Sequence, residues 1–393
     1  MNLLEKSLRF TRARVAQAAG YYPFFLPIEA SSGPEVIIRG EPKIMMGSNN
    51  YLGLTHHPKV LAAAEAALKC YGSGCTGSRF LSGTLDLHEE LEERLARFLG
   101  KEAALVFSTG YQTNLGVVST LIGRGDYLFM DKLSHASLVD SARLAYGTVC
   151  RYPHNDMQIL ERQLRQAPRN AGKLIVTDGV FSMEGDIVNL PGIVALAETY
   201  GADVLVDDAH AIGVLGERGG GTAQHFGLED KVTLIVATFS KSLAAIGGVV
   251  AGAEPVIHYL KHHARPLIFS ASMPPASVAT VLAALEVIEE EPGLRERLWR
   301  NTRRMQEGLK SLGYDIGDSQ TPVIPVKIGD LNMLAIQWRT LFDAGVFTNP
   351  VIPPAVPHHS CRLRISMMAT HRDEHIDFVL DLFARGMKQR AAM

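Results

Sequence analysis

Thr233-Leu-Ile-Val-Ala237 runs straight into Thr238-Phe239-Ser240-Lys241-Ser242, and Ala202-Asp-Val-Leu-Val206 runs into Asp207-Asp208-Ala209-His210. Each is a short apolar run that ends in a cluster of polar groups. A run of this length reads as a strand buried on both faces. The pattern recurs at Ala103–Phe107, Tyr127–Met130, Leu174–Thr177 and Gly248–Ala251. Between several of these lie stretches with helical spacing: Thr113–Leu121, Met157–Gln166 and Leu190–Tyr200. Alternation of this kind predicts an α/β domain, a mostly parallel sheet sandwiched by helices.

Upstream, Lys59–Tyr71 carries Val60, Ala63, Ala64, Ala67 and Leu68 on one helical face. Leu87–Leu99 reads as a second helix with Glu89 and Glu93 near Arg94 and Arg97, stopped by Gly100. Downstream, Pro274-Pro275 breaks the chain and a long helix follows from Ala276 to about Glu290. Helices then mix with strands at Val323–Ile328 and Arg362–Met367, which predicts a smaller α+β C-terminal domain. The expected division is an N-terminal helix and extension over 1–45, a large domain over 46–275 and a small one over 276–393. Leu3–Ala18 reads as a basic amphipathic helix carrying Lys6, Arg9, Arg12 and Arg14, better suited to packing or a dimer contact than to a membrane surface.

The composition is that of an ordinary globular protein, with 47% hydrophobic and 20% charged residues in a chain of 393. A formal charge of −2 gives no general attraction to nucleic acid or anionic lipid. Cys70, Cys75, Cys150 and Cys361 have no metal-ligand spacing and read as free thiols of a reducing compartment. With no apolar leader and no run of 18 apolar residues, a cytoplasmic protein is expected.

Three motifs mislead. Gly72-Ser-Gly74-Cys-Thr-Gly77 matches GxGxxG, but it follows a helix rather than a strand, so its glycines serve close approach of backbone instead of a dinucleotide. Asp207-Asp-Ala-His210 looks like a helicase box, yet no GxxxxGK[ST] accompanies it. His88-Glu89-Glu90-Leu91-Glu92 is not HExxH and reads as a solvated helix face.

Ser108-Thr109-Gly110, Asp131, Asp178, Asp207 and Thr238–Lys241 all follow carboxyl ends of strands, where open α/β sheets bind ligands, so they should share one crevice. A lysine placed there can form a Schiff base. Pyridoxal phosphate (PLP) needs such a lysine for its aldehyde, a carboxylate for its ring nitrogen and small donors for its phosphate. Either fragment alone reads equally well as a surface lysine or a structural Asp/His pair; together they point to the cofactor. Asp207 would hold the ring nitrogen protonated, a neighbouring carboxylate favouring the cation by a pKa unit or more, about 1.4 kcal/mol each. His210 would reach the ring's phenolic oxygen and His135 would stack on the ring. Backbone N–H groups of Gly110 and Tyr111, with the hydroxyls of Thr238 and Ser240, would meet the phosphate.

With these residues in view, the chain resembles the α-oxoamine synthases, fold-type I PLP-dependent transferases that condense an amino acid with an acyl thioester and release CO2. The resemblance runs nearly end to end. It is carried by Ser48-Asn-Asn-Tyr-Leu-Gly-Leu54, Phe107-Ser-Thr-Gly-Tyr-Gln-Thr-Asn114, Ser134-His-Ala-Ser137, Asp178-Gly-Val-Phe-Ser-Met-Glu-Gly-Asp186, Asp207–His210, Thr238–Lys241, Phe269-Ser-Ala-Ser-Met-Pro-Pro275 and Arg362-Leu-Arg-Ile-Ser366. Tyr71–Thr84, Val346-Phe-Thr-Asn-Pro350 and Ala369-Thr-His371 are similar to the bacterial serine palmitoyltransferase branch, more than to the 8-amino-7-oxononanoate synthase, glycine C-acetyltransferase or 5-aminolevulinate synthase branches. Asp208 departs from the family's usual Glu at that position.

The resemblance implies that Lys241 bonds the cofactor, that Asp207 and His210 serve its ring, and that His135 stacks and engages the substrate carboxylate. Thr238, Ser240, Gly110, Tyr111 and Ser182 are implied cofactor contacts, and Ser272 is implied to reach the phosphate in a neighbouring subunit. Arg364 is the implied carboxylate clamp, with Arg362 its rival, and Asn50 an implied substrate contact. A homodimer with shared active sites follows. L-serine and palmitoyl-CoA are the implied substrates, giving 3-ketosphinganine, the first step of sphingolipid synthesis. L-alanine with a pimeloyl thioester is the alternative, and an aminotransferase or a non-catalytic partner subunit the readings of a different class. Peripheral membrane association through the substrate or the N-terminal helix stays open.

Overall fold

The computed structural model describes residues 3–391, and the chain separates into two compact units. The large one runs from Asn49 to Arg300; the small one joins the residues up to Ser48 to those from Asn301 onward.

The large unit is built on seven strands: β1 (Ala103–Phe107), β2 (Tyr127–Asp131), β3 (Thr148–Tyr152), β4 (Lys173–Asp178), β5 (Asp203–Asp207), β6 (Leu234–Thr238) and β7 (Gly248–Gly252). Their order is β1-β7-β6-β5-β4-β2-β3. β7 runs antiparallel to β1 and β6, and every other pair is parallel. The sequence explains the layering. All six residues of β4 and all five of β7 are buried, as strands covered on both faces must be. Leu105, Leu128, Val176, Leu205, Val236 and Val250 form the core against Val117 and Val118 of a flanking helix. β3 went unread in the sequence because Thr148-Val-Cys-Arg-Tyr152 has no apolar run. It is one of the two edge strands, exposed at Thr148, Val149 and Arg151.

The helices used below are α1 (Pro58–Tyr71), α2 (Asp86–Phe98), α3 (Gly110–Leu121), α4 (Ala136–Leu144), α5 (Met157–Gln166), α6 (Leu190–Tyr200) and α7 (Pro275–Glu290). α7 buries eleven residues, and it packs on α1. Two expectations for α2 are overturned. Arg94 does not pair along its own helix but reaches Glu289 of α7 at 3.0 Å. The 88–92 segment is not a solvated face, because His88 is 0% and Glu92 9% exposed. Glu92 receives both terminal nitrogens of Arg79, at 2.7 and 3.0 Å, and the Val106 N–H at 2.9 Å. His88 bonds Met273 O at 2.9 Å. Charge periodicity alone cannot separate water from a buried partner.

In the small unit, β8 (Val323–Gly329), β9 (Asn349–Val351) and β10 (Cys361–Ser366) form an antiparallel sheet with β10 in the middle. A second sheet joins Ala30–Ser31, Glu35–Ile38, Glu41–Met45 and Val346–Phe347. The expected N-terminal helix is two short pieces, Glu5–Leu8 and Arg12–Ala18, with no buried residue in either. Without an apolar face to bury, segments this short gain nothing that would hold a continuous helix through Arg9–Thr11. Among the described residues, no helix is long and apolar enough to cross a membrane, and the four cysteines are free.

Candidate active site

The carboxyl ends of the large unit's strands open into one cavity of about 370 Å³. Its lining joins Lys241, Asp207, His210, His135, Thr238 and Ser240 with the first turn of α3. Of the twelve residues singled out in the sequence, eight are brought together here: those six with Gly110 and Tyr111. Ser182, Ser272, Asn50 and Arg364 are not in this lining.

Asp207 ends β5 and is 5% exposed. Asn114 donates its side-chain N–H to Asp207 Oδ2 at 2.6 Å and to Ser137 Oγ at 2.8 Å, and the Ala209 N–H reaches Asp207 Oδ1 at 3.0 Å. Asn114 was missed in the sequence, although the motif Phe107–Asn114 contains it. Its position one turn into α3 is the only signal there was.

His135 caps α4, its Nδ1 accepting the Ser137 N–H at 3.2 Å. Its backbone N–H donates to Asp178 Oδ2 at 3.0 Å. Its ring keeps an open side, but the protein packed around the rest disfavours the cation. Burial and the Lys241 ammonium therefore lower its pKa, although Asp207 acts in the other direction. Asp178 is pushed well above the usual carboxylate range, by burial first and then by Asp207. Asp208 points away from the cavity into the core, where its Oδ2 accepts the Thr222 N–H at 2.9 Å. Burial raises it to about 7. His210 Nδ1 lies 2.7 Å from the Tyr51 hydroxyl.

At the other end of the cavity, Thr109 caps α3 by accepting the Gln112 N–H at 3.1 Å. The earlier N–H groups, those of Gly110 and Tyr111, have no partner within a helix and suit an anion. Thr238 Oγ1 stands 3.0 Å from Ser240 Oγ. A Cβ on Gly110 would come within 2.6 Å of Thr238 Cβ, so only glycine leaves this cradle open.

The remaining candidates are placed as follows. Ser272 Oγ bonds Gly77 O at 3.0 Å, pinning the glycine-rich turn after α1. Asn50 is buried and donates to Thr55 Oγ1 at 2.8 Å. Ser182 lies on the loop after β4. In the small unit, Arg362 and Arg364 alternate on β10 and are 6% and 4% exposed, with Arg362 Nε bonded to Ser360 O at 3.0 Å.

A lysine, a buried carboxylate, two histidines and an anion cradle in one cavity fit pyridoxal phosphate in chemistry and size. Fold and site define a fold-type I PLP-dependent transferase. The aminotransferase class I and II family matches residues 41–383. A serine palmitoyltransferase from Sphingobacterium spiritivorum is 50% identical over 98% of this chain and 97% of its own length. An 8-amino-7-oxononanoate synthase from Thermoanaerobacter pseudethanolicus is 43% identical over 94% of each chain. The solved serine palmitoyltransferase of S. paucimobilis, with a PLP–myriocin adduct bound, superimposes with a TM-score of 0.97 at 37% identity across 100% of both chains. The chain belongs to the aminotransferase class I and II family and, within it, to the α-oxoamine synthases.

Proposed function

We propose that this chain condenses L-serine with palmitoyl-CoA and releases coenzyme A, CO2 and 3-ketosphinganine, the entry step of sphingolipid synthesis. The observation that carries this reading is the gathering of Lys241, Asp207, His210 and His135 around one cavity, in a chain half identical to a serine palmitoyltransferase along nearly its whole length.

When bound, pyridoxal phosphate supplies an aldehyde that condenses with amines and a cationic ring that draws electrons from the adjacent carbon. Lys241 Nζ would be the amine that holds it and the base that takes the α-proton of the substrate. Asp207, kept in place by Asn114, would hold the proton on the ring nitrogen. His210 would donate to the phenolic oxygen. His135 would stack on the ring and engage the substrate carboxylate. The N–H groups of Gly110 and Tyr111 and the hydroxyls of Thr238 and Ser240 would hold the phosphate, and Ser182 would be a further cofactor contact. Arg364, with Arg362 on the same strand face as its rival, would clamp the carboxylate through a planar bidentate pair, and Asn50 would contact the substrate. In a homodimer Ser272 would reach the phosphate of the neighbouring subunit, so each site would be completed by both chains.

Replacing Lys241 with Ala should abolish both turnover and the visible absorption of the lysine-bound cofactor; survival of both would remove the proposal. Substrate choice is decided by a panel of L-serine, L-alanine and glycine against acyl thioesters of graded length, scored by thiol release. Strong release with L-alanine and a pimeloyl thioester and none with L-serine would reassign the chain to the 8-amino-7-oxononanoate reaction.

A peripheral membrane contact fits the N-terminal segment, where Leu3, Leu8 and Phe25 are 75%, 79% and 94% exposed beside Lys6, Arg9 and Arg12. Co-sedimentation with anionic vesicles tests this, and loss of binding on removal of residues 1–25 is the expected result.

A further inference from the structure

Three loops at the carboxyl ends of β2, β3 and β4 converge on one imidazole outside the cavity lining. His154 follows β3. Its Nδ1 lies 3.2 Å from Asp131 Oδ2, at the end of β2, and its Nε2 lies 2.7 Å from Asp186 Oδ2, on the loop after β4. Ionised carboxylates only accept, so both ring nitrogens must donate, and an imidazole with two N–H groups is a cation.

The surroundings fix this bridge on each side. Asp131 is 1% exposed and also accepts the N–H groups of Leu133 at 2.8 Å and Asn155 at 2.9 Å. Asn155 takes a left-handed conformation, φ 51°, and its side-chain oxygen accepts the Asn189 N–H at 3.0 Å. Phe181 stands edge-on to the His154 ring at 4.3 Å. Asp186 Oδ1 is buried without a hydrogen-bond partner, and apart from His154 its Oδ2 has only the Asn155 amide at 3.5 Å. Burial pushes the His154 pKa down, but the two carboxylates more than offset this and hold it up at about 10. Lys132, His135, Arg151, Tyr152, Asp156, Asp178 and Glu184 are the other titratable groups on the loops and strand ends around the ring. Of these, Arg151 donates to Lys132 O, Asp156 caps α5 and Asp178 takes the His135 N–H.

Each of the two bridged segments lends residues to the cavity, His135 and Ser137 from one and Asp178 from the other. Asp131 opens the loop to His135, and Asp186 closes the loop that begins at Asp178. These loops also meet directly where the His135 N–H donates to Asp178 Oδ2 at 3.0 Å. We propose that His154 is a positioning residue: as a cation between Asp131 and Asp186 it locks the 131–137 loop to the 178–189 loop and so sets His135 over the substrate. This inference rests on the proposed function for what His135 meets, but the lock itself does not.

The test uses the PLP-loaded full-length protein and two variants, His154→Asn and Asp186→Asn. L-serine affinity is read from the change in the visible spectrum, and amide hydrogen exchange is followed over both loops. His154→Asn should keep the cofactor, bind L-serine at least tenfold more weakly, and exchange faster in both loops together. Asp186→Asn leaves the imidazolium one carboxylate short. Compared with wild type at each pH, its L-serine affinity should be equal in mild acid and fall behind as pH rises above neutrality, where two carboxylates still keep the native imidazolium protonated.

Unchanged affinity and exchange in His154→Asn would overturn the inference. So would a pH-independent loss in Asp186→Asn, which is what simple structural damage produces. Should His154→Asn not fold, the pH profile of Asp186→Asn decides. If the wild type binds no L-serine, the substrate reading fails by itself, and loop exchange in the same variants still decides for or against the lock.

Discussion

Asn114 Nδ2 lies 2.6 Å from Asp207 Oδ2, and both side chains are almost fully buried. The carboxylate proposed to serve the cofactor ring is thus oriented by a helix that also presents its N-terminus to the same cavity. Replacing Asn114 with Leu keeps the branched shape, with bulkier methyl groups, but removes both donors, leaving Asp207 with the Ala209 N–H. A lost hydrogen bond to a buried charge costs about 1.5–3 kcal/mol. The expected outcome is a lower unfolding midpoint and roughly tenfold weaker cofactor retention, measured by absorbance during dialysis.

Gly110 and Gly74 make a paired test of the anion cradle. A methyl on Gly110 would meet Thr238 Cβ at 2.6 Å, whereas one on Gly74 meets nothing within 4 Å. Gly110→Ala must either displace Thr238 or shift the start of α3, at about 1–3 kcal/mol. It should lose cofactor more readily than Gly74→Ala, which should behave as wild type in the same titration.

Glu92 holds Arg79 with two hydrogen bonds while also accepting the Val106 N–H. Its removal leaves a guanidinium that is 9% exposed without its partner. Breaking such a pair costs about 3–5 kcal/mol, and replacing both partners by apolar residues recovers much of it. Glu92→Ala should therefore unfold at markedly lower denaturant than wild type. Glu90→Ala, on the exposed side of α2, should stay within about 0.5 kcal/mol. Equal effects from the two would restore the solvated reading of this helix.

What the sequence disclosed and what it hid follow one physical rule. The strands of the central sheet were legible wherever burial on both faces forces an unbroken apolar run, as at Leu234–Ala237. β3 was hidden because this edge strand is exposed at three of its five residues and needs no such run, whereas β1, at the other edge, is covered and keeps one. α4 was hidden because Ala136-Ser-Leu-Val-Asp-Ser141 mixes small polar residues into its turns. Lys241, Asp207 and His210 were legible since each follows a strand end. Asn114, His154 and Glu92 act through partners 93, 32 and 13 residues away in the chain, and spacing carries no trace of such bonds.

Acid stability follows from a histidine the chemistry does not use. His371 is 2% exposed; its Nδ1 accepts the Met368 N–H at 3.0 Å and its Nε2–H donates to Met45 O at 3.1 Å. A second proton would turn the accepting nitrogen towards another donor. Burial, with the nearby His375, lowers its pKa to about 4. An unfolded chain would bind that proton near pH 6.5, so between these values the unfolded state holds more protons and stability rises with pH. Full stability is present above about 6.5, and roughly 3 kcal/mol is lost by about pH 4. His88, lowered to about 4 by burial and then by Arg79, acts in the same direction within the large unit. His154, held up at about 10, acts oppositely: its contribution is complete below 6.5 and is lost as pH climbs towards 10. Urea midpoints across this range should therefore fall on both sides of neutrality. In His371→Gln, whose amide can still donate to Met45 O, the acid slope should flatten while the alkaline one stays; an unchanged acid slope would place the titrating group elsewhere.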